Sequence, residues 1–159
     1  TSLIDIKARE GFTLKTPIRR LEGISYWVIE DPEGIHDFIN NEIRREWEED
    51  LRSEGHDPKR DPWLNSLPKL KWSLQMIELS RIRLDPKIMN VVDVKKGYSF
   101  QTSLAKRSLE LRETIQRFAV VIWPLIVKSE DLMLVDGYCR YTTLKKMKVS
   151  KVYAYVGST

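Results

Sequence analysis

Asp136-Gly137-Tyr138-Cys139-Arg140 brings an acid, a glycine, the only thiol of the chain and an arginine into five consecutive residues. The apolar run before it reads as a strand ending at Val135. The basic segment after it reads as a helix beginning near Tyr138. That junction leaves the amide N–H groups of residues 137–140 at a helix N-terminus, where they and the positive end of the helix dipole favour an anion such as phosphate. Gly137 allows close backbone approach and a positive φ. Arg140 in the first turn can grip a phosphate with two donors, and Thr142 and Thr143 add hydroxyls. Asp136 can hold Mg²⁺ directly or through water. The same residues have a plainer reading: Asp136 caps the helix, Gly137 eases the turn and Arg140 is solvated. D-G-x-x-R has few fixed positions, and local chemistry leaves both readings open.

The elements that would position this corner alternate in type. Ile24 to Glu30 is β-branched and aromatic, as in a strand. Asp31-Pro32 then starts a helix, the Asp as cap and the Pro in the first helical position. Ile35, Ile39, Ile43, Trp47 and Leu51 follow at steps of four until Gly55, giving about five amphipathic turns. Gly55 to Pro68 is rich in proline and reads as a connector. Trp72 to Leu84 reads as strand-rich up to Asp85-Pro86, and Asn90 to Gln101 as a loop. Thr102 to Phe118 has helical spacing. Val120 to Val127 reads as one apolar strand, Ser129-Glu130-Asp131 as a turn and Leu132 to Val135 as a strand. Tyr138 to Lys148 is a helix, and Val152 to Val156 a closing strand. Such alternation predicts an α/β (α+β) domain, a small mixed sheet covered by helices. The chain divides into an N-terminal strand-helix extension over residues 1–70 and a domain over residues 71–159.

Charge changes at that boundary. Residues 1–70 carry 11 Lys and Arg against 15 Asp and Glu, whereas residues 71–159 carry 16 against 8. The basic part either solvates a surface or faces an anionic partner, a nucleotide or DNA. Arg140, Lys145, Lys146, Lys148 and Lys151 lie between Gly137 and Lys151 with no acid among them. One cysteine excludes an internal disulfide and a multi-cysteine metal site, and His36 and His56 are too isolated for a zinc site. No stretch is long and apolar enough for a membrane helix, and the first residues lack the apolar core of a signal peptide, so a cytoplasmic protein is expected. Many Lys, Arg and Glu with few Gln point weakly to a thermophilic source. Trp63, beside Pro62 in the connector, is the best candidate for an exposed, base-stacking aromatic.

From about Met76 to Val156 the chain resembles the N-terminal domain of ParB proteins and the wider ParB/sulfiredoxin-like superfamily. "IELSRIRLDP" resembles the opening strand of that group. "LAKRSLELRETIQRFAVVIWPLIV" resembles its helix with a Ser-Ile pair, followed by a Pro-Ile-Val strand. "LMLVDGYCRYTTLKKMKVSKVYAYV" resembles its strand, Asp-Gly-x-x-Arg motif, helix and last strand. The resemblance implies a ParB/sulfiredoxin-like fold binding a nucleoside di- or triphosphate: CTP as in partition proteins, ATP as in sulfiredoxins, ADP or ATP as in free-serine kinases. Gly137, Tyr138, Cys139 and Arg140 would line the phosphates, and Asp136 would be the catalytic acid of the Asp-Gly step, with Mg²⁺. Thr114 and Ile115 match the Ser-Ile pair, and Trp123-Pro124 would lie near the base. The implied activity is an NTPase or small-molecule kinase, the first alternative a non-catalytic DNA-binding, partition-type or regulatory module and the second a sulfiredoxin-like redox protein using Cys139. Departures are specific. Sulfiredoxins carry their nucleophilic cysteine directly after the glycine, where this chain has Tyr138. Ile88 stands where the kinases have a catalytic acid. The later Gly-Glu-Arg-Arg motif of partition proteins is not reproduced between Met76 and Val156.

Overall fold

The computed structural model describes residues 17–118 and 120–159. The chain enters through a hairpin, β1 (Ile18–Leu21) and β2 (Ile24–Trp27), with Leu21 opposite Ile24. Its two turn residues, Glu22 and Gly23, both have positive φ, at 50° and 82°. This is the twist of a two-residue hairpin, which usually selects Asn, Asp or Gly at the first position.

Asp31 then accepts the Gly34 amide at 3.0 Å and Pro32 opens α1 (Pro32–Phe38). The helix continues through a π-helical turn, Ile39–Ile43, into α2 (Arg44–Ser53). A strict four-residue spacing drifts around an ordinary α-helix, and one wider turn brings the stripe back to a single face. Ile35, Phe38, Ile39 and Ile43 are buried accordingly. The proline-rich connector is helical in short pieces, a 3₁₀ turn (Pro58–Arg60) and α3 (Pro62–Ser66). Asp57-Pro58, Asp61-Pro62 and later Asp85-Pro86 repeat the opening device, each Asp side chain accepting an amide of the turn it starts. The last of these opens α4 (Pro86–Met89).

Among the described residues the strands form three sheets. The largest has the order β3-β9-β7-β8, built from β3 (Lys71–Glu78), β7 (Leu125–Lys128), β8 (Leu134–Asp136) and β9 (Lys151–Ser158). β9 is antiparallel to β3 and parallel to β7. A second sheet adds β6 (Val121–Ile122) in parallel to β2. The run expected as one strand over Val120–Val127 is therefore two strands in two sheets. Pro124 has no amide to give a ladder, and the chain breaks there. The expected loop at Asn90–Gln101 contains a small hairpin, β4 (Val92–Asp93) and β5 (Tyr98–Ser99), running into α5 (Phe100–Arg117). The last helix, α6, spans Tyr138–Lys146.

Side chains alternate across the large sheet. Leu125, Val127, Leu134, Val152, Ala154 and Val156 meet α5 and α6 through Leu104, Leu111, Tyr141 and Leu144. Ile126, Val135, Tyr155 and Trp72 meet α1, the π turn and α3 on the other face. The fold is a mixed α/β arrangement with helices on both faces, and residues 32–66 supply the helices on one of them. Phe38 stacks on Trp123 with ring centroids 4.4 Å apart. Among the described residues, no helix is long and apolar enough to cross a membrane.

Candidate functional site

Gly137 is the N-cap of α6, at φ 104°, and no side chain caps that end. The Asp136 side chain does not serve as the expected cap; it accepts from Arg140 Nη2 at 3.1 Å. Arg140 is 2% exposed. Its Nη1 donates to the carbonyls of Trp123 at 2.8 Å and Pro124 at 3.0 Å, the two residues that break β6 from β7. A Cβ on Gly137 would lie 2.8 Å from Arg140 Nη2. The arginine folds back over the glycine and joins the sheet break to the helix.

The sequence reading sets Arg140 against a phosphate; in the structure its Nη1 and Nη2 groups are turned inward. The other expected ligand groups are engaged inside the fold as well. Tyr138 is buried, its hydroxyl donating to the Leu134 carbonyl at 2.9 Å and accepting the Asp85 amide at 3.0 Å. Burial pushes its phenol up to about 12. Cys139, on α6, is 3% exposed in the core shared with α5, a position with little access for a thiol's reaction partner. Thr142 donates to the Tyr138 carbonyl, and Thr143 to the carbonyls of Cys139 and Ser108, so neither hydroxyl is offered to the helix N-terminus. Thr114 donates to the Glu110 carbonyl one turn back. Pro124 is buried and contributes its carbonyl to Arg140.

Asp50, exposed at the end of α2, has its carboxyl held above the usual range, first by partial desolvation and then by Glu54 and Asp136. Among the described residues, no group of three or more His, Cys, Asp and Glu side chains that could hold a metal comes together.

The opposite end of α6 has different chemistry. Lys145, Lys146, Lys148 and Lys151 are all exposed there. None of the ion pairs among the described residues involves them. Lys145 lies over the Tyr141 ring, and Lys146 reaches the Ser108 hydroxyl of α5 at 3.5 Å. Nearby, Glu22 of the β1–β2 turn meets Ser150 and Lys151, a pairing that no local spacing announces. Its one sequence signal is a bulky Glu at a turn position that favours Asn, Asp or Gly. Trp63 is half-buried between Trp47 and the Lys128 ammonium, as a packed aromatic.

No protein-family model matches the chain, and no curated protein matches it. Among solved structures the chain is similar to the pNOB8-like ParB N-domain, at 17% identity and a TM-score of 0.39, with 57% of this chain covered and 29% of that one. A second crystal form of the pNOB8-like ParB N-domain gives 18% identity and a TM-score of 0.41 over 57% of this chain and 30% of the other. Sulfiredoxin from Arabidopsis thaliana gives 17% and 0.38 over 54% of this chain and 85% of the other. The chain thus spans less than a third of the length of the two ParB chains.

Proposed function

We propose that this chain is a non-catalytic nucleic-acid-binding module that meets the phosphate backbone through the lysines behind α6. The observation that carries this reading is the exposed set Lys145, Lys146, Lys148 and Lys151, on a segment without acids and in the half of the chain opposite in charge to the acidic extension. Such a surface binds by charge, with little sequence preference and with affinity that falls as salt rises. The inward direction of Arg140 supports a role outside catalysis for the D-G-x-x-R corner.

The test is fluorescence anisotropy with a labelled DNA duplex at several salt concentrations. Wild type should bind with a steep salt dependence. Replacing all four lysines with glutamate should flatten the slope of log K against log salt by about 3 to 4, near 0.9 for each phosphate that is no longer neutralised. Absence of binding, or affinity indifferent to salt, overturns the reading.

A mononucleotide reading, with ATP, ADP or CTP and Mg²⁺ at Asp136 and Arg140, has the uncapped, positive-φ start of α6 in its favour. It requires Arg140 to leave the Trp123 and Pro124 carbonyls. Calorimetry with each nucleotide and Mg²⁺ decides it: saturable binding of one of them, with no DNA binding, would replace the polyanion reading.

A further inference from the structure

Two consecutive backbone amides and one hydroxyl converge on a carboxylate at the turn between α6 and β9. Ser150 N donates to Glu22 Oε1 at 3.0 Å and Lys151 N to Oε2 at 2.6 Å, while Ser150 Oγ lies 2.9 Å and 2.8 Å from the two oxygens. All three residues are exposed. The turn that presents the amides carries a positive φ of 60° at Lys148. Its donors hold the carboxyl of Glu22 below the usual range: the Ser150 amide first, then the Ser150 hydroxyl and the Lys151 amide. A groove of about 540 Å³ runs alongside, lined by Ser80, Tyr141, Lys145, Ser150 and Lys151, with Glu78 as its acid.

The occupant comes from far away in sequence and sits in an unfavourable conformation. Glu22 is at φ 50°, where a β-hairpin turn of this length prefers Asn, Asp or Gly. The two-residue turn imposes that φ on Glu22 whether or not its carboxylate is engaged, so the residue type there is set by what its side chain reaches. The geometry, two amides and a hydroxyl around two oxygens, is that of an oxyanion cradle, and a phosphate offers the same pair of acceptors with more charge.

We propose that the Ser150–Lys151 turn is a phosphate-binding site that Glu22 occupies in cis, so that the β1–β2 hairpin is a latch over part of the basic surface. The phosphate is either a group of a nucleic-acid backbone or a free phosphate. The backbone case rests on the nucleic-acid reading above; the site itself does not. Lys145 and Lys151 supply the charge that steers the anion. Its arrival displaces Glu22 and frees the tip of the hairpin.

The decisive variant is Glu22→Gly, which removes the carboxylate and also suits the positive φ of the turn, so the hairpin is not strained by the change. Backbone amide NMR shifts of Ser150 and Lys151 would be followed while inorganic phosphate, and separately a short DNA duplex, is titrated into wild type and variant. In Glu22→Gly both amides should shift saturably, with an apparent affinity roughly tenfold above wild type if the latch is open about a tenth of the time. Adding Ser150→Ala should reduce that gain. Shifts with phosphate but not duplex support the site and identify a free anion as its ligand. Duplex binding that is equal in both proteins, with the two amides unmoved, overturns the latch and leaves the nucleic-acid reading standing. A loss of thermal stability in Glu22→Gly with no new anion binding makes the Glu22 pairing a staple only and overturns the proposal.

Discussion

Arg140 lies over Gly137: a Cβ at residue 137 would meet Arg140 Nη2 at 2.8 Å and Leu125 Cδ2 at 2.8 Å. The spacing of glycine and arginine in D-G-x-x-R is therefore accounted for inside the fold. The glycine leaves room for a guanidinium returning from one turn ahead, and the aspartate before it supplies a counter-charge.

Gly137→Ala should destabilise the protein by at least about 1–3 kcal/mol, combining a strained positive φ with overpacking against Leu125. Arg140→Ala should cost more, about 3–5 kcal/mol, because it orphans a partly buried carboxylate and two carbonyls at the break between β6 and β7. Urea denaturation midpoints at constant m-value measure both. If Arg140→Ala unfolds at the wild-type midpoint, the arginine is not the internal tie described above.

The tyrosines predict loss of stability in alkali. Burial raises the phenols of Tyr26, Tyr138 and Tyr155, Tyr138 from 10.0 to about 12 and the other two further. The folded protein thus keeps protons that the unfolded chain releases, and its stability falls as pH rises from about 10 toward about 12. Denaturation midpoints should drop over that window, and phenolate absorbance should appear together with unfolding. Full tyrosine ionisation in a still-folded protein contradicts the burial assigned to these rings.

Much of this fold is written in local pattern. The strand at Ile24, the helix opened by Asp31-Pro32, the helix before Phe118 and the closing strand at Val152 follow from capping chemistry and apolar period, which act over a few residues. The Asp-Pro steps at residues 57, 61 and 85 carry the same signal, legible once the first is recognised as a cap. What local pattern does not contain is the direction of a side chain whose partners are remote. Arg140 reaches carbonyls 16 and 17 residues away, and Glu22 reaches amides 128 and 129 residues away. An arginine on a first helical turn is equally suited to a phosphate or a carbonyl. Only the break at Trp123-Pro124, in register beside it, decides which.

Cys139 should be inert toward thiol reagents in the native protein. It is 3% exposed among Leu104, Leu111 and Leu144, and a thiol reacts as accessible thiolate. Reaction with an aromatic disulfide should be slow in buffer and complete in denaturant. Rapid modification of the folded protein would show that the thiol is open to chemistry after all.

The extension should behave as part of the domain rather than as an appendage. Phe38 is 2% exposed and stacks on Trp123, which itself precedes the proline whose carbonyl holds Arg140. Phe38→Ala opens a cavity between the acidic layer and the sheet, at a cost of about 3–5 kcal/mol. Because the same aromatic pair borders the sheet break, the loss should lower the midpoint of the whole molecule in one cooperative transition, read identically by tryptophan fluorescence and by backbone circular dichroism. Two separated transitions, with the α5–α6 layer surviving the first, would show that residues 71–159 hold their fold without the layer that covers them.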